Sequence, residues 1–274
     1  MAASFWLAGC GSDARGDGSV AVSVWGEEYI EVGIPEEEFE DGWSVKYDKF
    51  LIALGDVSIE QKDGPSGGSL DEVVLFDLTE SGPQAFGAVA GLSEGNWDEF
   101  GFSSLVVTDE TQRSDSASAE DWELMLDGGY NVYVTGTATK DDAQKQFAWG
   151  FSEPVRYASC VDVRDGQEIS GVVVGDGAEA EAQLTIHGDH LFYDDLASPE
   201  AKLRFDRVAS ADADDDGEVT LDELAAIQLA DLSSDQGSYG VGAFDVDDMR
   251  GFIEAATNSL GHFNGEGHCR PERP

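Results

Sequence analysis

Twelve residues, Asp212-Ala213-Asp214-Asp215-Asp216-Gly217-Glu218-Val219-Thr220-Leu221-Asp222-Glu223, concentrate more potential chemistry than any other stretch of this chain. Carboxylates stand at the first, third and fifth places, a glycine at the sixth, an aliphatic at the eighth and a glutamate at the twelfth. A hard cation such as Ca²⁺ takes six to eight oxygens at about 2.3–2.6 Å, and this spacing supplies them from one short coil. Asp212, Asp214 and Asp216 each offer a side-chain oxygen, Glu218 its backbone carbonyl and Glu223 both carboxylate oxygens. Thr220, or a water that it holds, completes the set. Gly217 permits the sharp reversal that turns these groups toward one point, and Val219 is expected to turn away from the ion into the core.

The flanks agree with the loop. Ser198-Pro199-Glu200 reads as a helix start, with Ser198 as N-cap and Pro199 in the first turn. Leu203, Phe205 and Val208 give that helix an apolar side, and Leu221, Leu224 and Ile227 recur at the spacing of an outgoing helix. Loop and flanks together resemble the helix–loop–helix of the EF-hand family. An acidic surface turn is the alternative, but it leaves the placing of the glycine, valine and glutamate unexplained. Asp235 to Glu254 is acidic yet lacks alternating ligands and a central glycine, so a second hand is not expected. A lone hand on a larger body implies a structural clamp of weak affinity, on the order of 10⁻⁴–10⁻³ M.

The four histidines form a second candidate set, with His187 and His190 in Ile186-His187-Gly188-Asp189-His190, and His262 and His268 in Gly261-His262-Phe263-Asn264-Gly265-Glu266-Gly267-His268-Cys269. Neutral imidazole suits Zn or Cu far better than Ca²⁺. Residues three apart on a strand face opposite sides, so His187 and His190 converge only through a turn at Gly188. Asp189, Asp194 and Asp195 are candidates to support such ligands by hydrogen bonding. Polar residues that simply hydrogen-bond at a junction between two parts of the chain are the alternative.

The ends and the composition constrain the class. The chain has 274 residues, enough for a sizeable core, and its 57 acidic against 15 basic residues leave a net charge of −42. Such a surface repels nucleic acid and anionic lipid, so no nucleic-acid partner is expected. Leu7-Ala8-Gly9-Cys10 resembles the lipobox of bacterial lipoproteins, which implies lipidation at Cys10, ahead of a Gly/Ser/Asp tether. The nine residues before Cys10 lack the charged leader of such a signal, so a trimmed or late-set start is expected. No stretch reaches the ~20 apolar residues of a membrane span, which leaves a lipid anchor as the expected route to a membrane. With Cys10 lipidated, Cys160 and Cys269 remain as an even pair, and a disulfide closing about 110 residues is expected in an exported protein.

Behind these motifs, residues from Val20 to about Ile186 follow the pattern of strands. Val20, Val22 and Val24 alternate with small or polar residues, and Trp43 to Ile59 holds two phases that a bulge near Lys49 would reconcile. Further strands are predicted at 73–78, 100–108, 130–137, 146–151, 169–174 and 182–186, and a mobile loop or insertion at 109–119. Val246, Met249, Phe252, Ile253 and Ala256 describe an amphipathic closing helix N-capped by Asp245, expected to pack against the sandwich or the EF-hand helices and a candidate for the partner surface that replaces a second hand.

Trp43-Ser44-Val45-Lys46-Tyr47-Asp48-Lys49-Phe50, Val74-Leu75-Phe76-Asp77-Leu78, Gly95-Asn96-Trp97-Asp98-Glu99-Phe100-Gly101-Phe102, Gly129-Tyr130, Gly136, Phe147-Ala148-Trp149-Gly150-Phe151 and Cys160 follow in order. In this series the chain distantly resembles the periplasmic copper-binding β-sandwich proteins associated with methanobactin and di-haem partners, over roughly Trp43 to Leu196. Trp149-Gly150 stands where that family tends to have a histidine before a glycine. The resemblance therefore implies the fold and not the copper ligands.

These observations predict a mainly β chain: a truncated signal and tether (1–19), an antiparallel β-sandwich (20–195), a single EF-hand (196–234) and a C-terminal helix and tail (235–274). The expected function is that of a non-catalytic, calcium-binding lipoprotein of a bacterial cell envelope, outer-membrane-anchored or periplasmic, in which Ca²⁺ rigidifies the C-terminal part. Its protein partner is not indicated. Nucleophile-elbow, phosphate-loop and zinc-protease motifs are missing from the sequence. Two other readings stand beside it: a periplasmic Cu- or Zn-handling protein using the histidines, and a calcium-dependent adhesin or carbohydrate-binding module presenting Trp25, Trp97 or Trp122.

Overall fold

A computed structural model describes residues 17–64, 66–164, 166–233 and 236–273. Cys10 lies outside these residues. In chain order the first strands are β1 (Gly18–Trp25), β2 (Ser44–Glu60), β3 (Ser66–Leu70), β4 (Val74–Asp77), β5 (Gln84–Leu92), β6 (Gly95–Trp97), β7 (Glu99–Ser104) and β8 (Gln112–Arg113). They are followed by β9 (Val132–Lys140), β10 (Ala143–Phe151), β11 (Val155–Arg164), β12 (Gln167–Ser170), β13 (Val172–Val174), β14 (Glu179–Ile186), β15 (Glu218–Val219), β16 (Gly261–Phe263) and β17 (Gly267–Glu272). The helices are α1 (Glu27–Glu31), α2 (Ala119–Gly128), α3 (Asp206–Ala209), α4 (Leu221–Leu224) and α5 (Met249–Ala256).

The principal sheet runs β15-β10-β9-β2-β7-β11-β17-β16-β14-β1-β5, and β13 pairs separately with β6. The sheet is mixed, which differs from the all-antiparallel arrangement predicted. β1 and β14, β10 and β15, and β4 and β8 are parallel pairs. Each joins segments far apart in sequence, and hydrophobic alternation along one strand carries no information on the direction of its neighbour.

Local chemistry explains the main elements. Val20, Val22 and Val24 of β1 are buried while the residues between them are half-exposed. β2 shifts register between Tyr47 and Lys49, the bulge that its two hydrophobic phases require. From Phe50 to Leu54 both faces of β2 are buried. Phe50, Ile52 and Leu54 face the main core, and Leu51 and Ala53 face a smaller one beneath α2. The segment predicted as a mobile loop at 109–119 is instead hydrogen-bonded to the sheet, with Gln112 N donating to Val73 O and Ser114 N to Leu75 O. It leads into α2, which a capping box between Ser118 and Asp121 opens and left-handed Gly129 closes.

The helical part is smaller than its apolar spacing suggested. No helix starts at Ser198: the incoming helix is the single turn α3, and Leu203 instead bridges to Phe39 and Tyr193. α5 forms as predicted but is capped by Asp248, whose carboxylate accepts from Gly251 N at 2.8 Å, and not by Asp245. The chain before it is held extended, since Leu229 N donates to Asp247 O and Gln228 bridges to Asp248. No described helix is long and apolar enough to cross a membrane.

Candidate metal centre

β14 ends at Ile186, and His187 follows it directly. A tight turn over Gly188–Phe192 then swings His190 back toward His187. Gly188 is required there, because a Cβ would lie 2.7 Å from Ile30 and 3.0 Å from the Tyr47 ring. The Tyr47 hydroxyl donates to Gly188 O at 2.6 Å and fixes the turn. His262 arrives from elsewhere in the chain: β16 pairs antiparallel with β14, and Thr185 lies opposite His262. One ring nitrogen from each of His187, His190 and His262 lies within 4.8 Å of the other two. His268 is opposite His262 in the β16–β17 register but is exposed and outside this group.

The rings pack on one another. His187 and His262 stack with centroids 4.0 Å apart, and His190 meets both edge-on. Burial, with the neighbouring His187 second, pushes the His190 pKa down to about 4. Burial likewise pushes His262 down to about 3, with His187 and His190 adding to it. Neutral imidazole is the form that ligates a metal. Nδ1 of His190 and Nδ1 of His262 are buried and have no hydrogen-bond partner. An orphaned buried polar atom costs about 1–3 kcal/mol, so an ion accepting both lone pairs would remove that penalty. Because His187 and His262 are stacked, one ring must turn for all three lone pairs to converge, and the broad ring torsion allows it.

Carboxylates surround the rings. Glu27 Oε2 lies 3.3 Å from His187 Nε2, and burial raises the Glu27 pKa, an effect that His187 partly offsets. Asp189 is buried, with its pKa raised by that burial against the pull of His187 and a hydrogen bond from Tyr193. Of the three aspartates predicted as support, Asp189 is the one at the rings. Asp194 pairs with Arg204 at 2.8 Å, and Asp195 accepts from Ala197 N, Ser198 N and the Ser238 hydroxyl. Glu27 was not foreseen, because nothing in Gly26-Glu27-Glu28 distinguishes it within so acidic a chain. A cleft of about 430 Å³ beside Tyr193, Leu196, Pro199 and Ser259 reaches His190.

The acidic loop brings a second set of side chains together. One carboxylate oxygen from each of Asp212, Asp214 and Asp216 lies within 4.8 Å of the other two. Asp216 N and Gly217 N both donate to the Asp212 carboxylate, and Asp215 and Gly217 adopt left-handed backbone at φ +61° and +90°. Val219 is fully buried, as its place in the loop predicted. Glu218 supplies β15, and Glu223 is turned to another task. The Glu223 carboxylate accepts from Thr220 N, the Thr220 hydroxyl and Ala213 N, closing the capping box of α4. Lys145 Nζ donates to Asp212, which holds that carboxyl below its usual range.

The loop's backbone partner is β10. Gln146 lies opposite Glu218 and Phe147 opposite Val219, and Trp149 Nε1 donates to Val219 O at 2.8 Å. α5 packs on α4, the outgoing helix whose residues 221–223 end the loop, and Arg250 reaches Asp222 at 3.4 Å. The predicted bridge is present: Cys160 on β11 and Cys269 on β17 form a disulfide across 109 residues. The tryptophans proposed for glycan contact are otherwise engaged. Trp97 is buried, and Trp25 and Trp122 are half-buried, donating to Glu31 and to Thr111 O.

No protein-family model matches this chain, and no curated protein is significantly similar to it. Among solved structures, MbnP from Methylosinus trichosporium is similar at 13% identity and a TM-score of 0.30, covering 64% of this chain and 77% of that one. A likeness this slight carries no argument about the site.

Proposed function

We propose that this chain is an exported, non-catalytic metal-handling protein that holds one Zn or Cu ion on His187, His190 and His262. The observation that carries the proposal is the pair of buried, unpartnered Nδ1 atoms on His190 and His262, two members of a group of three imidazoles whose ring nitrogens lie close together. A set of nitrogen donors selects Zn, Cu or Ni over Ca²⁺ or Mg²⁺. Three protein ligands leave a further position for water or a small ligand, and the cleft at His190 supplies access to it. The disulfide supports an oxidising, extracytoplasmic setting.

The test is titration of the chelator-stripped protein with Zn²⁺, and with Cu⁺ under reductant, against a competing indicator. Wild type should bind one equivalent, and His190→Ala or His262→Ala should weaken binding at least a hundredfold, while His268→Ala changes it less than threefold. Equal loss in all three variants would sink the assignment.

A second reading concerns the acidic loop and rests on the convergence of oxygens from Asp212, Asp214 and Asp216. In it, Ca²⁺ binds there as a scaffold ion, displacing Lys145 from Asp212 and drawing in Glu218 O and Glu223. Its effect is structural, because β15 ties the loop directly to the sheet.

A further inference from the structure

Glu27 has a backbone that ordinarily belongs to another residue. Its φ of +55° lies in the left-handed region, where glycine or asparagine is at less cost. The preceding position is itself restricted to glycine, since a Cβ at Gly26 would lie 2.9 Å from Leu78. Relief of strain would favour a smaller side chain at position 27, yet the glutamate reaches the histidine group with Oε2 3.3 Å from His187 Nε2. Gly265 O lies 3.4 Å from the same nitrogen.

Two acceptors at Nε2 require that nitrogen of His187 to carry a proton. In the neutral ring the lone pair is then on Nδ1, the same atom that is orphaned on His190 and His262. The Glu27 carboxylate does not join the three mutually close nitrogens. It stands one imidazole ring behind them, with Asp189 and Glu266 close enough to act on it electrostatically.

We propose that Glu27 is the positioning residue of the histidine centre: its carboxylate holds His187 with the proton on Nε2, and its negative charge makes the centre prefer a doubly charged ion over a singly charged one. The inference rests on the metal reading above. A carboxylate hydrogen-bonded to a ligating imidazole orients the ring and raises its basicity. Its Coulomb attraction for a 2+ ion is twice that for a 1+ ion at the same distance.

The experiment uses the full chain with Glu27→Gln and Glu27→Gly, titrated with Zn²⁺ and with Cu⁺. Nitrogen-15 shifts of the imidazoles are recorded in the metal-free state. In wild type His187 should carry its proton on Nε2. Both variants should lose ten- to a hundredfold in Zn²⁺ affinity, the range found for such outer partners, while Cu⁺ affinity falls by only about three- to tenfold, as half the Coulomb energy requires. Glu27→Gly should also melt no lower than wild type, because it relieves the backbone. That separates a functional loss from misfolding. A proton on Nδ1 of His187 in metal-free wild type, or equal changes for the two ions, would overturn the proposal. A wild type that binds both ions, with the variants unchanged, overturns this inference alone. A wild type that binds neither removes the metal reading and this inference with it.

Discussion

Lys49 shows how much a single charge does in so acidic a molecule. Its ammonium donates to Asp77 and to Asp121 at 3.0 Å each, and both acids are nearly buried while the lysine is 39% exposed. Burial opposes charge on Asp121, but hydrogen bonds from Ser118 and Lys49 outweigh it and hold its pKa below the ordinary 3.8. A depressed carboxylate stabilises the fold at pH values above its unfolded pKa, and that contribution fades as pH falls through the folded one. Lys49→Met should therefore cost about 1–3 kcal/mol at pH 7, less than a fully buried pair because of solvent screening. Urea unfolding should show that gap closing below about pH 4. A gap as wide at pH 3 would show that the loss is one of packing. At this scale the sequence was legible where the groups are contiguous: the alternation of Asp212, Asp214 and Asp216 marks the three carboxylates that the structure brings together. It was silent on Glu27, whose role depends on a partner 160 residues away along the chain.

Among the elements, the β16–β17 hairpin links the disulfide and the histidine group. β16 is three residues long, carries His262, and is flanked by β14 and β17. β17 is in turn joined to β11 through Cys160–Cys269, at a register irregularity between Ala158 and Val161. Removing the bond by Cys160→Ala with Cys269→Ala should lower stability by about 2–5 kcal/mol. It should also weaken Zn²⁺ binding more than His268→Ala does, a comparison that one titration series makes. Unchanged affinity would show that β14 alone holds His262 in place. The cysteine pair, the β2 bulge and the apolar face of α5 could all be read from residue types and spacing. The convergence of His187 and His190 with His262 could not, since it follows from the pairing of two strands about 75 residues apart, which no local pattern encodes. The Ser198 helix failed for a related reason. Phe205 and Val208 have helical spacing and fall in or beside α3, but the long-range bridges of Leu203 to Phe39 and Tyr193 keep the chain before them out of a helix.

For the whole molecule the governing quantity is the net charge of −42. Any added cation lessens self-repulsion, so stabilisation by calcium means little unless compared at matched ionic strength. The scaffold reading predicts that millimolar CaCl₂ raises the melting temperature of wild type above that in Mg²⁺ or Na⁺ of equal ionic strength, following mass action. Glu223→Gln should lose that excess but keep the general salt response. If both proteins respond alike, the loop is an ordinary acidic turn. The mainly β class was evident from strand-length alternation, whereas the mixed direction of the sheet became visible only through pairings between distant segments.

The placement of β15 has a last consequence. It lies against Gln146 and Phe147 at the end of the principal sheet, where β10 would otherwise present unpaired amide and carbonyl groups to any passing chain. The acidic coil thus doubles as a guard on an aggregation-competent border. Variants that loosen it should reveal themselves first by concentration-dependent self-association through Ala143–Phe151, before any loss of the histidine centre.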